Sequence, residues 1–370
     1  MSHTILITGA SGYLGGTLLA QWTQTSLPAY KRLFALVRSD EQATLVKRHF
    51  GAVAEPLQFD TKDGVAVREA VVANQISIVY FLVDAMTADA QVHFIRALAE
   101  VKQSTGLDVH FLHTSGAKIF SSHAGAPTDR PLLDTEADLY EIQKAQEAPI
   151  PLMQSAVNTN NTVIEQAESL GVHSYIFVPC IVYGRGEGFG NRISIQTVAI
   201  VRAARALRRV YSVDSGRPSW PVCHVLDNTS LYLALLRGIL SSSSPNGSGN
   251  ATGTQPPGSG KHGYYLASSG HVVWEDLYAA MGTRLAQRGM VDGDPTAAGA
   301  VERATDEVLG KMGAALGCPK ELVALHLGGR CTFTARHGAE DLAWQPAYPA
   351  NHILQTAGEE VDLILDNLSG

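Results

Sequence analysis

The chain has 370 residues, 45% of them hydrophobic and 17% charged, which is enough apolar material for a sizeable core and ordinary for a globular protein. A net charge of −7 argues against a nucleic acid or an anionic membrane surface as main partner. Four separated cysteines (Cys180, Cys223, Cys318, Cys331) without a CxxC pair read as free thiols in a reducing compartment, so neither a disulfide framework nor a metal site is expected.

Apolar runs alternate with helix-like segments through the first half. The N-terminus enters the first run, TILITG (4–9), at once, which leaves no room for a signal peptide, and no apolar run approaches the length of a membrane span. A cytoplasmic protein without a membrane partner is the expectation. Further strands are predicted at 32–38, 56–60, 77–85, 109–116 and, as one unit, 174–184. Apolar on both faces and separated by helices, they predict an α/β fold, a Rossmann-type doubly wound parallel sheet. A smaller, mainly helical C-terminal lobe follows, with helical patterns at 194–209, 227–240, 273–288, 301–315 and 351–367. In VRAARALRR (201–209), Arg202, Arg205, Arg208 and Arg209 recur at helical spacing and read as a solvated face. The division expected is a cofactor domain over 1–184, to which 224–240 and 263–268 return, and a substrate lobe over 185–370. The Ser/Gly/Pro-rich stretch 241–262 has no periodic apolar pattern and predicts a flexible surface loop.

After the first strand comes TGASGYLGG, with Gly9, Gly12 and Gly15 in a T-G-x-x-G-x-x-G pattern. At a strand-to-helix junction such glycines allow a tight turn, let the backbone approach a pyrophosphate and pack helix against strand, while the helix N-terminus faces the phosphates. Ser11, Tyr13 and Leu14 complete the turn. At the end of the second strand, where an acidic residue would hold a ribose 2′-hydroxyl, stand Arg38 and Ser39. A guanidinium there favours a 2′-phosphate. NADP(H) is therefore the expected cofactor and NAD(H) the less expected one; the alternative is a solvated Arg38 with Asp40 on the ribose. Asp60 is placed to meet the adenine amino group, and Leu82 and Val83 to line the adenosine pocket.

The TGxxGxxG turn, FLHTSG (111–116), VPCIVYGRGEG (178–188) and WPVCHVLDNTSLYLALL (220–236) resemble the extended and atypical branches of the short-chain dehydrogenase/reductase superfamily. The last segment and GYYLASSGHVVWEDLYAAM (263–281) resemble progesterone 5β-reductase and iridoid-synthase-like enzymes, and the resemblance covers about residues 3 to 285. It implies a nicotinamide-dependent enzyme in which Ser115 meets the substrate carbonyl, beside Thr114, and the backbone of Pro179, Cys180 and Ile181 neighbours the nicotinamide. It also implies a tyrosine that moves the proton and a lysine that lowers its pKa, because an ordinary phenol is a poor acid or base at neutral pH.

Tyr140 and Lys144, at i and i+4, share a helix face, and Tyr140 lies 25 residues beyond Ser115, a normal distance in the family resembled. Counted back from Val-Tyr-Gly at 182–184, however, the dyad falls within 152–161, which holds no Tyr or Lys, and Pro149 and Pro151 break any single helix from Tyr140 onward. Two readings stay open: the pair supplies catalysis from a separate short helix, or it is an exposed edge and Asn158, Asn160 or Asn161 of NTNN takes the lysine's place. Lys118 is a further catalytic candidate, one residue off the 5β-reductase spacing. Cys180, without an adjacent base, reads as a packed thiol.

The expected function is NADP(H)-dependent hydride transfer that reduces a small-molecule carbonyl, conjugated enone or imine. An NmrA-like non-catalytic dinucleotide sensor and an epimerase, dehydratase or isomerase on the same fold are the alternatives. A small-molecule substrate is the expected partner, and a homodimer is left open.

Overall fold

The computed structural model describes residues 2–242, 256–292 and 301–368. In chain order, strand β1 (Thr4–Ile7), helix α1 (Tyr13–Gln21), β2 (Arg32–Val37), α2 (Asp40–Phe50), β3 (Glu55–Gln58) and α3 (Gly64–Ala73) form the first half of a doubly wound unit. It continues with β4 (Ile76–Phe81), α4 (Asp89–Thr105), β5 (His110–Thr114), β6 (Leu132–Leu133), α5 (Leu139–Lys144), α6 (Pro151–Ser169) and β7 (His173–Pro179). Beyond it come β8 (Ile181–Tyr183), α7 (Ile195–Leu207), β9 (Val210–Ser212), β10 (Ser219–His224), α8 (Val225–Ser242), β11 (Tyr264–Ala267), β12 (Gly270–Val273) and α9 (Trp274–Gln287). The chain closes with β13 (Val301–Arg303), α10 (Asp306–Leu316), α11 (Val323–Leu327), β14 (Phe333–Thr334), α12 (His337–Leu342), α13 (His352–Gln355) and α14 (Ala357–Leu368).

The central sheet has seven strands in the order β11-β7-β5-β4-β1-β2-β3, every pair parallel. Parallel strands covered on both faces must be apolar throughout, and β1 and β4 are buried at every position. One face packs against α3, α4 and α6 through Val67, Phe94 and Val157. The other packs against α1, α2 and α8 through Leu18, Val46 and Leu235. The Rossmann-type sheet expected from the sequence is present, and both returning segments join it: β11 as its edge strand and α8 against α1. In the first turn of α8, Asp227 accepts backbone N–H groups of Ala347 at 2.8 Å and Tyr348 at 2.9 Å, which fastens the C-terminal segment to the unit.

The single strand expected over 174–184 is two strands. The chain leaves the sheet at Cys180, and β8 pairs instead with β10 in a three-stranded sheet with β12. Residues 301–303, expected in a helix, pair with β9, with an exposed Arg209–Glu302 ion pair beside that edge, and α10 starts only at Asp306 under its Thr305 cap. Arg202 and Arg205 are exposed on α7, with Ala203 and Ala204 turned inward, as the helical spacing predicts, but α7 ends at Leu207: Arg208 is its left-handed C-cap and Arg209 lies beyond it, both exposed. Of the expected loop 241–262, residues 243–255 lie outside the described residues, and Gly260–His262 form a short 3-10 turn. Among the described residues no helix is long and apolar enough to cross a membrane.

Candidate active site

The segments that leave the C-terminal ends of β1, β2 and β4 meet at the glycine turn, with the end of β5 next along the same sheet edge. Gly9 takes a left-handed φ of +71°, and a Cβ on Gly15 would lie 2.3 Å from the Gly9 carbonyl oxygen, so neither position tolerates a side chain. Gly12 is the N-cap of α1 and offers no side-chain cap, and the first turn carries no acidic residue. Among the described residues no side chain caps the first-turn N–H groups of α1, which with the positive end of the helix make a site suited to an anion. Tyr13 closes the turn by donating its hydroxyl to the Gly184 carbonyl at 2.6 Å; Leu14 is half-buried.

Beside this turn Arg38 is exposed, and its N–H donates to Gln42 Oε1 at 2.8 Å. Ser39 caps α2 by accepting the Gln42 N–H at 3.2 Å, and Gln42 Nε2 reaches Ser11 Oγ at 3.4 Å. Arg38, Ser39 and Ser11 are thus gathered round Gln42, a residue the sequence reading missed. Asp40 is exposed in the first turn of α2. Asp60 is exposed too, but its Oδ1 accepts the Lys62 N–H at 3.0 Å in a local turn. Val83 keeps 51% of its surface exposed and, with Leu82, borders Gly9, leaving an apolar wall next to the turn. Thr8 Oγ1 fixes that wall by accepting the Leu82 N–H at 2.8 Å.

At the end of β5, Ser115 is buried, and its hydroxyl donates to Asn160 Oδ1 on α6 at 2.9 Å. Thr114 points to the opposite face, where it pairs with the Tyr232 hydroxyl at 2.8 Å. Next to Ser115 a Cβ on Gly116 would meet nothing within 4 Å, so the chain faces open space there. One turn on, Lys118 is half-buried, and desolvation alone lowers its ammonium to a pKa of about 8. Burial, and in smaller part the Lys118 charge, lowers His123 and His326. Asn160 and Asn161 are both buried on α6. Between β7 and β8, with Pro179 before it and Ile181 after it, Cys180 donates its thiol to the Ala267 carbonyl at 3.0 Å. Burial holds that thiol well above its ordinary value.

Tyr140 and Lys144 are not brought to Ser115. The Tyr140 hydroxyl donates to Glu165 Oε1 at 2.5 Å, and Lys144 Nζ reaches the same oxygen at 2.6 Å. Asn160 and Glu165 are five residues apart on α6, about 140° round the helix and about 7.5 Å along it; Asn160 is buried and Glu165 exposed. The pair therefore sits on the side of α6 turned away from Ser115. Its electrostatics also run against proton transfer, since burial and then the Glu165 carboxylate raise the Tyr140 phenol, whereas an acid/base tyrosine needs its pKa lowered.

The family model for the NAD dependent epimerase/dehydratase family matches residues 5–246. No curated protein matches the chain. Among solved structures it is similar to a UDP-glucose 4-epimerase from Thermotoga maritima determined with UDP-glucose, at 13% identity, TM-score 0.59, covering 98% of this chain and 99% of that one. A UDP-glucose 4-epimerase from Bifidobacterium longum, in complex with NAD+ and UDP, is similar at 13% identity and TM-score 0.61, covering 99% of both chains. So is a dTDP-glucose 4,6-dehydratase from Streptomyces venezuelae with NAD bound, at 12% identity and TM-score 0.63, covering 99% of this chain and 98% of that one.

Proposed function

The chain belongs to the NAD dependent epimerase/dehydratase family, and from that premise we propose that it is an NADP(H)-dependent oxidoreductase reducing a small-molecule carbonyl, conjugated enone or imine. The observation that carries this reading is the pairing of an uncapped α1 N-terminus behind Gly9–Gly15 with Ser115 and a low-pKa Lys118 at the same sheet edge. Residues 1–184, with α8 and β11, hold the cofactor; residues 185–370 supply the substrate lobe.

The donor set fits the cofactor. The α1 N–H groups take the pyrophosphate, and the Leu82–Val83 wall takes the adenosine. Arg38 and Ser39 take the 2′-phosphate, and the Pro179–Ile181 backbone borders the nicotinamide, whose bound form supplies the hydride. Ser115, steadied by Asn160, orients the substrate oxygen or nitrogen facing the open space at Gly116. Lys118, with a pKa of about 8, is largely protonated at neutral pH yet gives up its proton readily, the balance a general acid needs. Tyr140 and Lys144 take no part.

Epimerisation or dehydration of a nucleotide-linked sugar is the second reading, favoured by the nucleotide-sugar enzymes among the similar structures. Supplying NADPH, NADH or neither to a panel of aldehydes, enones, imines and nucleotide sugars separates the two. Stoichiometric NADPH oxidation, lost in Ser115→Ala, supports the reductase. Turnover of a nucleotide sugar without net cofactor oxidation replaces it with the second reading.

A further inference from the structure

The segment after β8 reads GRGEGFGNR (184–192), with glycine at every second position as far as 190. It lies as a strap across the first turn of α1. Asn191 donates its N–H to the Ser11 carbonyl at 3.1 Å, and Glu187 donates its N–H to Thr17 Oγ1 at 3.1 Å. A Cβ on Gly188 would stand 2.8 Å from Gly16 Cα, and one on Gly190 would stand 2.1 Å from the Ser11 carbonyl oxygen. Only a backbone without side chains fits so close to the nucleotide turn.

Gly184 anchors the strap from both sides. Its carbonyl accepts the Tyr13 hydroxyl at 2.6 Å, and its N–H donates to Glu360 Oε2 at 2.9 Å. Glu360, on α14, is 4% exposed, and its other oxygen accepts the Thr197 hydroxyl of α7 at 2.7 Å. A carboxyl is expensive to bury without hydrogen bonds, and burial holds this one above its ordinary range. Both of its bonds point at the strap and the helix that follows it. A residue near the end of the chain is thus two hydrogen bonds away from the first turn of α1.

We propose that Glu360 is a positioning residue for the dinucleotide: through Gly184 it sets the strap and Tyr13, and so the shape of the Gly9–Gly15 turn that receives the pyrophosphate. The proposal rests on the dinucleotide reading above. It gives the C-terminal helix a part in cofactor affinity, although that helix lies outside the cofactor unit.

Calorimetric titration of NADP+ into the full-length wild type, Glu360→Gln, Glu360→Met, Tyr13→Phe and the Tyr13→Phe/Glu360→Met double variant tests it, alongside thermal unfolding of each without cofactor. Glu360→Met should weaken NADP+ about 10-fold or more, as for loss of hydrogen bonds to a charged acceptor. Glu360→Gln, which keeps one acceptor oxygen, should recover part of that loss. Tyr13→Phe should weaken binding alone but add little in the Glu360→Met background, because both act on one chain of bonds. NADP+ binding like the wild type in both Glu360 variants overturns the proposal; so do equal losses with Gln and Met, or losses that multiply in the double variant. If Glu360→Met does not fold, Glu360→Gln, Tyr13→Phe and their double variant decide the same question. A wild type that binds neither NADP+ nor NAD+ overturns the dinucleotide reading, and the proposal with it; a wild type that binds while the Glu360 variants match it overturns the proposal alone.

Discussion

Replacing Lys118 with methionine should make the protein more stable and less active at once. Burial lowers this ammonium from 10.5 to about 8, and at about 1.4 kcal/mol per pKa unit the charged form costs about 3 kcal/mol in the folded state. The residue keeps part of its surface exposed, so solvent screening brings the usable figure to about 1–2 kcal/mol. The sign follows from proton binding. The unfolded chain holds this proton up to about pH 10.5 and the folded one only to about 8, so stability rises with pH across that window. Below pH 8 the wild type bears the whole cost, and the methionine variant is relieved of it. Urea unfolding of both proteins should therefore show the variant ahead at pH 7, with the margin shrinking from pH 8 towards 10.5. NADPH-dependent turnover should fall about 10²-fold or more with the loss of a general acid. A variant less stable at pH 7, or a margin that stays constant through pH 10, would refute the reasoning.

Arg38→Ala should weaken NADPH by about 1.5–3 kcal/mol, the range for hydrogen bonds to a charged group, and leave NADH nearly unchanged; equal weakening in titrations of the two cofactors would remove the 2′-phosphate assignment. Tyr140→Phe should leave NADPH turnover intact and cost at most about 1 kcal/mol of stability, because its bond is to an exposed glutamate. A drop of about 10²-fold would return the proton-transfer role to Tyr140. At the other end of the sheet His110 stacks on His173 at 5.0 Å and meets His3 edge-on at 5.7 Å, and burial above all lowers all three imidazoles, His110 well below its ordinary value. Groups depressed in this way stabilise the fold above about pH 6.5 and withdraw that support as pH falls below it. Unfolding free energy should decline from pH 6.5 downward, and more gently in His110→Phe; parallel pH profiles would contradict this.

The parts that could be read in the sequence are those written locally. Continuous apolar runs such as ISIVYF mark buried parallel strands, and the glycine spacing at 9, 12 and 15 marks a turn whose close packing excludes side chains. What escaped depends on contacts between distant segments. The run 174–184 carries one local sign of a break, Pro179, which has no N–H to give a ladder; where the chain goes next depends on the distant pairing of β8 with β10. Tyr140 and Lys144 have the right spacing from Ser115, yet spacing does not say which side of α6 they meet; Glu165 decides that. The sequence offered Asn158, Asn160 and Asn161 alike, and only the bond between Ser115 and Asn160 across the fold distinguishes one of them. The alternating glycines of 184–190 were a usable signal for a second close approach to the nucleotide turn, whereas its anchor, Glu360, has none in sequence.

A crystal structure of the protein with NADPH bound tests the central claim most directly. The account predicts the pyrophosphate on the N–H groups of α1, the 2′-phosphate against Arg38 and Ser39, and the nicotinamide beside Ser115 with the Lys118 ammonium facing the same open space. A nicotinamide directed towards Tyr140 and Lys144, or a dinucleotide that does not touch the Gly9–Gly15 turn, would contradict it.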